Sequence, residues 1–254
     1  MDISERKQAE QALQQFNEQL EHQVKERTVE LTKRLQELDQ FAYVASHDLK
    51  SPLRAIDHLA QWISADAADL LPPASRDHLE KLRGRITRME KLLDDLLAYS
   101  RADRYHYNIG KVDVNLLLDD IVRLVTPPQG FAVSVQMPLP VFVAHKVPLE
   151  TVLRNLINNA IKHHDRTDGQ VQVTVQDLGE FFEFSVSDDG PGIAPEFHER
   201  IFQIFQTLRP RDQVEGSGMG LAIVKKIVES RNGHITIASA LGQGTTFRFT
   251  WPKA

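Results

Sequence analysis

Glycine is spread so unevenly along these 254 residues that the chain must hold two kinds of structure. Of 13 glycines only Gly84 precedes residue 110, and the other twelve lie from Gly110 onward. A glycine costs a helix interior about 1 kcal/mol relative to alanine, so a long stretch nearly free of it reads as almost continuous helix. Residues 110–254 instead mix glycines with valine-rich alternating stretches, which read as strands interleaved with helices. Two domains fit this length. The absence of cysteine excludes disulfides, thiolate zinc sites and cysteine nucleophiles. A formal net charge of -5 gives no global reason for nucleic-acid binding. No apolar run approaches the roughly 20 residues a bilayer requires, and nothing resembles a signal peptide. A cytoplasmic chain is expected, with any anchor lying outside it.

In the helical part, Leu13, Phe16, Leu20, Val24, Thr28, Leu31, Leu35, Leu38, Ala42 and Ala45 follow in steps of mostly three and four. That is a coiled-coil seam, although three steps of four from Phe16 to Thr28 break the heptad. The stripe continues through Leu49, Leu53, Ile56, Leu59 and Ile63. Pro72-Pro73 should stop this helix, and Asp77 with Glu80 should cap the start of a second one. The second helix carries a stripe of Leu79, Leu82, Ile86, Met89, Leu93 and Leu96. A seam so narrow on so polar a helix wants a partner, most simply a second copy. The expectation is a coiled coil over 1–37 leading into a helical hairpin over 38–108, two of which make a dimeric four-helix bundle.

From Asp113 the pattern is that of a layered domain, with overall bounds of 109–254 and an α/β sandwich as its fold class. Helices are predicted over 115–125, 149–163 and 219–230. Strands are predicted over 131–137, 170–178, 181–187, 234–239 and 245–251. Residues 189–218 form a long loop, and long loops in compact domains are usually functional.

Chemistry-bearing residues fall at defined places on this frame. His47 lies two residues from Ala45 and two from Leu49, which turns it away from the buried stripe. By itself it is one exposed histidine of ten. A neutral imidazole is nonetheless a competent nucleophile at pH 7. Asp48 beside it does not share its helix face, so contact needs the two side chains to turn toward each other. Asn155, Asn159 and Lys162 stand at i, i+4 and i+7, a polar ridge apart from the apolar face of Val152, Leu153, Leu156 and Ala160. Amide oxygen suits Mg²⁺ and the lysine supplies a point charge; a solvated helix face is the alternative. Asp188-Asp189-Gly190-Pro191-Gly192-Ile193 follows a strand. A carboxylate at Asp188 can accept from adenine's amine and would repel guanine's carbonyl; a plain Asp-Gly turn is the alternative.

Gly216-Ser217-Gly218-Met219-Gly220-Leu221 opens a helix whose N-terminus can hold phosphate. No Gly-Lys-Ser/Thr follows, which excludes a P-loop, and the strand and acidic residue of a dinucleotide fingerprint are absent. Phe197, Ile201, Phe202, Ile204 and Phe205 form an apolar cluster within the polar loop, where Arg209 and Arg211 could reach a terminal phosphate. Thr245 sits in Gly244-Thr245-Thr246-Phe247 on the closing strand.

In this order, over residues 41–251, these motifs resemble those of sensor histidine kinases. The run Phe41-Ala-Tyr-Val-Ala-Ser-His47-Asp48-Leu-Lys-Ser-Pro52-Leu-Arg54 is similar to the phosphoacceptor box. The resemblance implies His47 as acceptor and Asp48 as acid/base. The ridge looks like the asparagine box, implying Asn159 as the magnesium ligand, with His163 standing where the family often has Tyr or Phe. The glycine runs resemble the two glycine boxes, and the apolar cluster the phenylalanine box of a lid over ATP. Nucleotide contacts are thereby implied for Asn155, Asn159, Lys162, Asp188, Gly190, Gly192, Arg209, Arg211, Gly216, Gly218, Gly220, Leu221 and Thr245. The fold implied for the C-terminal domain is that shared by gyrase, Hsp90 and histidine kinase ATP sites. The phosphoacceptor region is similar to that of phytochrome-type kinases, and residues 2–7 look like the exit of a PAS sensor domain. ATP and Mg²⁺, a homodimer, an upstream sensor and a response regulator aspartate follow as expected cofactors and partners, with no nucleic acid. Ser51 stands where the family's phosphatase activity commonly uses Thr or Asn. An ATPase of the same superfamily without a phosphohistidine, and a scaffold with remnant motifs, are the competing classes.

Overall fold

The computed structural model describes residues 3–67, 70–102, 109–136, 138–208 and 217–253, in two compact units, 1–48 and 49–254. Helix α1 (Ile3–Asp66) begins in the first unit and continues into the second.

In the first unit Leu13, Phe16, Leu20, Val24 and Leu31 of the seam are all exposed on the single chain. The side chains of Leu35, Leu38 and Ala42 lie outside the described residues. Thr28 Oγ1 donates to the Val24 carbonyl at 2.7 Å, so the polar step in the seam satisfies itself within the helix. Glu30 accepts from Arg27 at 3.0 Å and from Arg34 at 2.8 Å on the outer surface.

In the second unit α1 ends at Asp66, six residues before the prolines, and α2 spans Pro73–Arg101. The start expected at Asp77 is wrong. Pro73 opens the helix, at a position where its missing N–H would have had no partner and its fixed φ suits the first turn. Asp77 instead lies inside α2 and accepts from Lys81 at 2.7 Å. The two helices bury Leu53, Ala60 and Ile86 between them. Ion pairs cross the hairpin from Arg83 to Asp57 at 3.1 Å, from Arg54 to Glu90 at 3.6 Å, and from Lys50 to Asp94. Leu49, Ile56, Leu59, Ile63, Leu82 and Met89 stay exposed. An apolar groove of about 560 Å³ runs between the helices, with Phe205 on its wall.

Beyond the hairpin, β1 (Ile109–Asp113) pairs antiparallel with β3 (Val141–His145). Neither strand is among those predicted from the sequence, and both are short. Gly110 and Lys111 interrupt the apolar alternation of β1, while Pro138 and Pro140 mask the onset of β3. Asp113 ends β1 and caps α3 (Val114–Val125), its carboxylate accepting from Asn115 N at 2.9 Å and Leu116 N at 3.3 Å. The main sheet adds β2 (Phe131–Val135), β4 (Gly169–Asp177), β5 (Phe181–Asp188), β6 (Ile235–Ser239) and β7 (Thr245–Pro252). Their order is β2-β4-β5-β7-β6, with only the β2–β4 pair parallel. Helices α4 (Lys146–Lys162) and α5 (Gly220–Glu229) pack on this sheet, and α3 packs on α4. Helix α4 starts three residues earlier than expected, because β3 runs directly into it and Pro148 is tolerated in a first turn.

The alternation of β5 and β7 sends Phe184, Phe249 and Trp251 into the core, where none is more than 1% exposed. Phe184 and Phe249 are cross-strand partners whose rings stack at 5.0 Å, the packing that ties these central strands together. Ala102 at the end of α2 is also buried in this core.

Candidate functional site

In the first unit His47 projects into solvent, its side chain 74% exposed, as the spacing required. Its Nδ1 lies 3.2 Å from Asp48 Oδ1, so the two adjacent side chains do turn toward each other. With a proton on Nδ1 donated to that carboxylate, the Nε2 lone pair is left facing outward.

In the second unit α4 carries the asparagine ridge to the start of α5. Asn155 Nδ2 donates to the Thr151 carbonyl at 2.8 Å, which fixes the amide. A Cβ added at Gly220 would stand 3.0 Å from Asn155 Oδ1 and 4.0 Å from Asn159 Nδ2. Glycine at the first position of α5 therefore keeps a small space open between both amides and the N–H groups of that helix end. Amide oxygens and N–H donors at a helix N-terminus are a donor set that fits phosphate together with a hard cation. Lys162 ends α4 half-buried, and Leu221 packs on the core beside Gly220. Gly218 has φ +71°, and a Cβ there would strike the Gln206 carbonyl at 2.7 Å, so only glycine fits where the loop returns. Arg209, Arg211 and Gly216 lie outside the described residues.

At the other end of the site β5 and β7 bring Asp188 opposite Thr245. Asp188 Oδ1 accepts from Gly190 N at 3.0 Å. Burial pushes the Asp188 carboxyl up from its usual range, and the main-chain N–H groups of Gly190 and Thr245 oppose that rise. Gly192 has φ +71° and sits so close to the next turn that a Cβ would stand 2.0 Å from the Ala240 carbonyl. The first glycine run is thus a close crossing of two loops and not a free turn.

Ser239, which is not among the residues the sequence singles out, holds that crossing. Its Oγ donates to the Gly244 carbonyl at 2.7 Å, accepts from Ile193 N at 2.8 Å, and lies 3.1 Å from Thr245 Oγ1. A serine at a strand end carries no motif of its own, so only the fold reveals it. The apolar loop cluster divides. Ile201 is buried, Phe197 and Phe202 pack on the core, and Ile204 and Phe205 are exposed. Two 3-10 turns, Pro195–Phe197 and Arg200–Phe202, make this split by placing the first three side chains inward.

Asp189, next to Asp188, is held down at about 2, chiefly because Gln170 N–H donates to its carboxylate, with His164 and Arg166 adding to this. In the unfolded chain the same carboxyl titrates near 3.8. Its stabilising contacts are therefore complete above pH 4 and disappear as pH falls toward 2. Urea unfolding midpoints of the native chain and Asp189→Asn, measured at steps between pH 6 and 2, should converge as the pH drops. A gap that stayed constant would deny the carboxylate this role.

Two sequence profiles match the chain: the His Kinase A (phospho-acceptor) domain over residues 37–104, and the histidine kinase-, DNA gyrase B- and HSP90-like ATPase over 144–254. The chain belongs to the sensor histidine kinases. Cyanobacterial phytochrome A of Nostoc sp. is 38% identical over 85% of this chain and 28% of its own length. Cyanobacterial phytochrome B of the same organism is 35% identical over 87% of this chain and 30% of its own length. These likenesses support the phytochrome-type subfamily within the sensor kinases. The chain spans less than a third of the length of these curated relatives. Among solved structures, full-length ShkA in complex with AMPPNP superposes with a TM-score of 0.67 at 29% identity, over 85% of this chain and 46% of that one. The phosphoacceptor match thus spans the second half of α1 and all of α2, and the ATPase match runs from the end of β3 through β7. Among the described residues, no helix is long and apolar enough to cross a membrane.

Proposed function

We propose that this chain is a transmitter core that phosphorylates its own His47 from ATP·Mg²⁺ and passes the phosphoryl group to an aspartate of a response regulator. The observation that carries this reading is His47 itself. Within a matched phosphoacceptor domain it is exposed, and it is paired through Nδ1 with Asp48 at 3.2 Å. Asp48 orients the ring and can take the Nδ1 proton as attack makes the imidazole cationic. The Nε2–phosphorus bond forms while the bond from the γ-phosphorus to the bridging oxygen of ADP breaks. Little covalent work falls to the protein, so positioning and charge neutralisation dominate.

In this reading Asn155, Lys162, Gly190, Gly192, Gly216, Gly218, Gly220 and Leu221 line the nucleotide, with Asp188 and Thr245 at the base. Arg209 and Arg211 serve the terminal phosphate. Asn159 would hold Mg²⁺, which neutralises phosphate charge when bound. Residues 1–37 form the signalling coiled coil, 38–108 the dimerisation and phosphotransfer domain, and 109–254 the catalytic domain. The exposed apolar stripes of α1 and α2 fit burial against a second copy, each Å² of apolar area removed from water contributing roughly 25 cal/mol. An upstream, PAS-like sensor and a cytoplasmic setting complete the proposal. Ser51 stands four residues after His47, in place of the Thr or Asn that phosphatase activity commonly uses, and phosphatase activity is not part of it.

Incubation with γ-labelled ATP and Mg²⁺ tests the reading. Label should become bound to the chain, survive base and be lost in acid, the signature of a phosphorus–nitrogen bond. ADP release without bound label would mean an ATPase instead. Neither product would mean a scaffold.

A further inference from the structure

Beside Asp188 lies a polar cluster that the proposed reaction does not use, and a buried histidine is at its centre. The His164 side chain, just beyond α4, is only 1% exposed. The main-chain N–H of Arg166 donates to its Nδ1 at 3.1 Å. Nδ1 is thus the acceptor, and the ring proton on Nε2 is donated to Asp189 Oδ1 at 3.1 Å. The same oxygen accepts from Gln170 N at 2.7 Å. Arg166 Nη2 donates to Asp189 Oδ2 at 2.5 Å and to the Asp189 carbonyl at 3.1 Å. Asp189 is therefore gripped by both its side chain and its main chain.

The ring is also wedged in place. Its edge meets Phe131 at a centroid distance of 5.1 Å. A Cβ at Gly169 would stand 2.7 Å from His164 Nε2, and one at Gly190 would stand 3.3 Å from Cδ2. His164 thus fills the space between the first residue of β4 and the turn through Asp188, Asp189 and Gly190. Asp188 Oδ1 is bonded to Gly190 N, so its carboxylate keeps this aim only while Gly190 stays in place, and it gives up that bond if it rotates. Gly190 in turn cannot shift without moving against His164 and Asp189.

We infer that His164 is the positioning residue of the base-recognising carboxylate: through Asp189 it fixes the turn that aims Asp188, and so sets the preference for adenine over guanine. This inference rests on the nucleotide site proposed above. A carboxylate held in one orientation accepts from adenine's amine and faces guanine's carbonyl unpaired, and such a mismatch discriminates strongly only while the group stays fixed. Freed to rotate, Asp188 would spend less of its time aimed at adenine's amine, and adenine would lose its advantage over guanine.

The test uses the whole 254-residue chain with fluorescent ATP and GTP analogues, together with label transfer at saturating ATP. His164→Phe keeps a ring but donates nothing. It should weaken ATP-analogue binding by about tenfold, leave GTP-analogue binding little changed, and hold the saturated labelling rate within about twofold. His164→Gln, whose amide can donate to Asp189, should recover most of the preference. Arg166→Ala, at a half-exposed side chain, should lower the preference in the same direction and guards against failure of the Phe variant to fold. An ATP-to-GTP ratio unchanged in both His164→Phe and Arg166→Ala would overturn the inference. An equal loss for both nucleotides that Gln does not rescue would also overturn it, leaving His164 a structural role only. A native chain that binds neither analogue would remove the nucleotide site itself. A native chain whose preference survives Asp188→Asn would remove Asp188 as the reader of the base. In either case this inference would fall with the reading on which it rests.

Discussion

His47→Gln should abolish bound label from γ-labelled ATP while leaving affinity for ATP analogues within about twofold. Loss of the nucleophile removes the only nitrogen that can form the phosphorus–nitrogen bond in the proposed reaction, so no slower route through this residue remains. Glutamine keeps a helix-compatible, polar side chain on a surface where the imidazole is 74% exposed, so the helix has little reason to change. Every residue proposed to touch nucleotide lies in 155–245, and the substitution alters none of them. Autoradiography after gel separation in base-stable conditions, paired with equilibrium binding of an ATP analogue, reads both halves of the expectation. Full labelling of the variant would move the acceptor to another of the ten histidines. Loss of binding together with labelling would mean that His47 acts through the fold.

The periodic parts of this molecule were legible before any coordinates, and the reasons are physical. Helix α1 and the stripe of α2 repeat every three or four residues over long stretches, and β4, β5 and β7 alternate with few interruptions, so burial writes itself into the sequence. Strands β1 and β3 were not legible. Each is five residues long, with outward-facing Val141, Val143 and Ile109 exposed, and their pairing joins positions more than 25 residues apart. The practical consequence is that a catalytic fragment begun at Asp113 would lack β1 and the buried Val112. A fragment begun at 109 keeps both. The start of α2 was misplaced because a capping pattern at Asp77 and Glu80 competed with Pro73, and the proline's fixed φ was the stronger local signal.

The candidate site divides in the same way. His47, Asp188 and the glycines stand out in the sequence as candidates because each pairs a particular residue type with a particular place in the pattern. The spacing of Asn155 and Asn159 predicted a shared ridge but not its destination. The meeting with Gly220 depends on α4 packing beside α5, a contact between segments some 60 residues apart that no local pattern encodes. His164, Arg166 and Ser239 were missed for a related reason. They bond to main-chain groups or to a carboxylate distant in sequence, and their own neighbourhoods are ordinary loop and strand ends.

Asn159→Ala should remove the Mg²⁺ dependence of nucleotide binding and, with it, bound label. The amide of Asn159 borders the open start of α5, its Nδ2 4.0 Å from where a Gly220 Cβ would stand, and it is the residue that would hold the ion there. A half-turn of the amide presents its oxygen, the donor that a small hard cation prefers, and does so without adding charge beside a triphosphate. Alanine has no oxygen to offer, and neighbouring Asn155 is committed to the Thr151 carbonyl through its Nδ2, so it is not free to swing into the vacated place. The substitution is also mild for the fold, since alanine is the best helix former and Asn159 is only half-buried. Titrations of an ATP analogue with and without Mg²⁺ separate the outcomes. In the native chain the metal should tighten binding by at least about tenfold, corresponding to roughly 1.4 kcal/mol, and in the variant the two curves should coincide. A variant that kept the full metal effect would place the ion on other residues. A variant that lost binding equally in both conditions would show that the ridge at Asn159 serves the nucleotide directly and not through the metal.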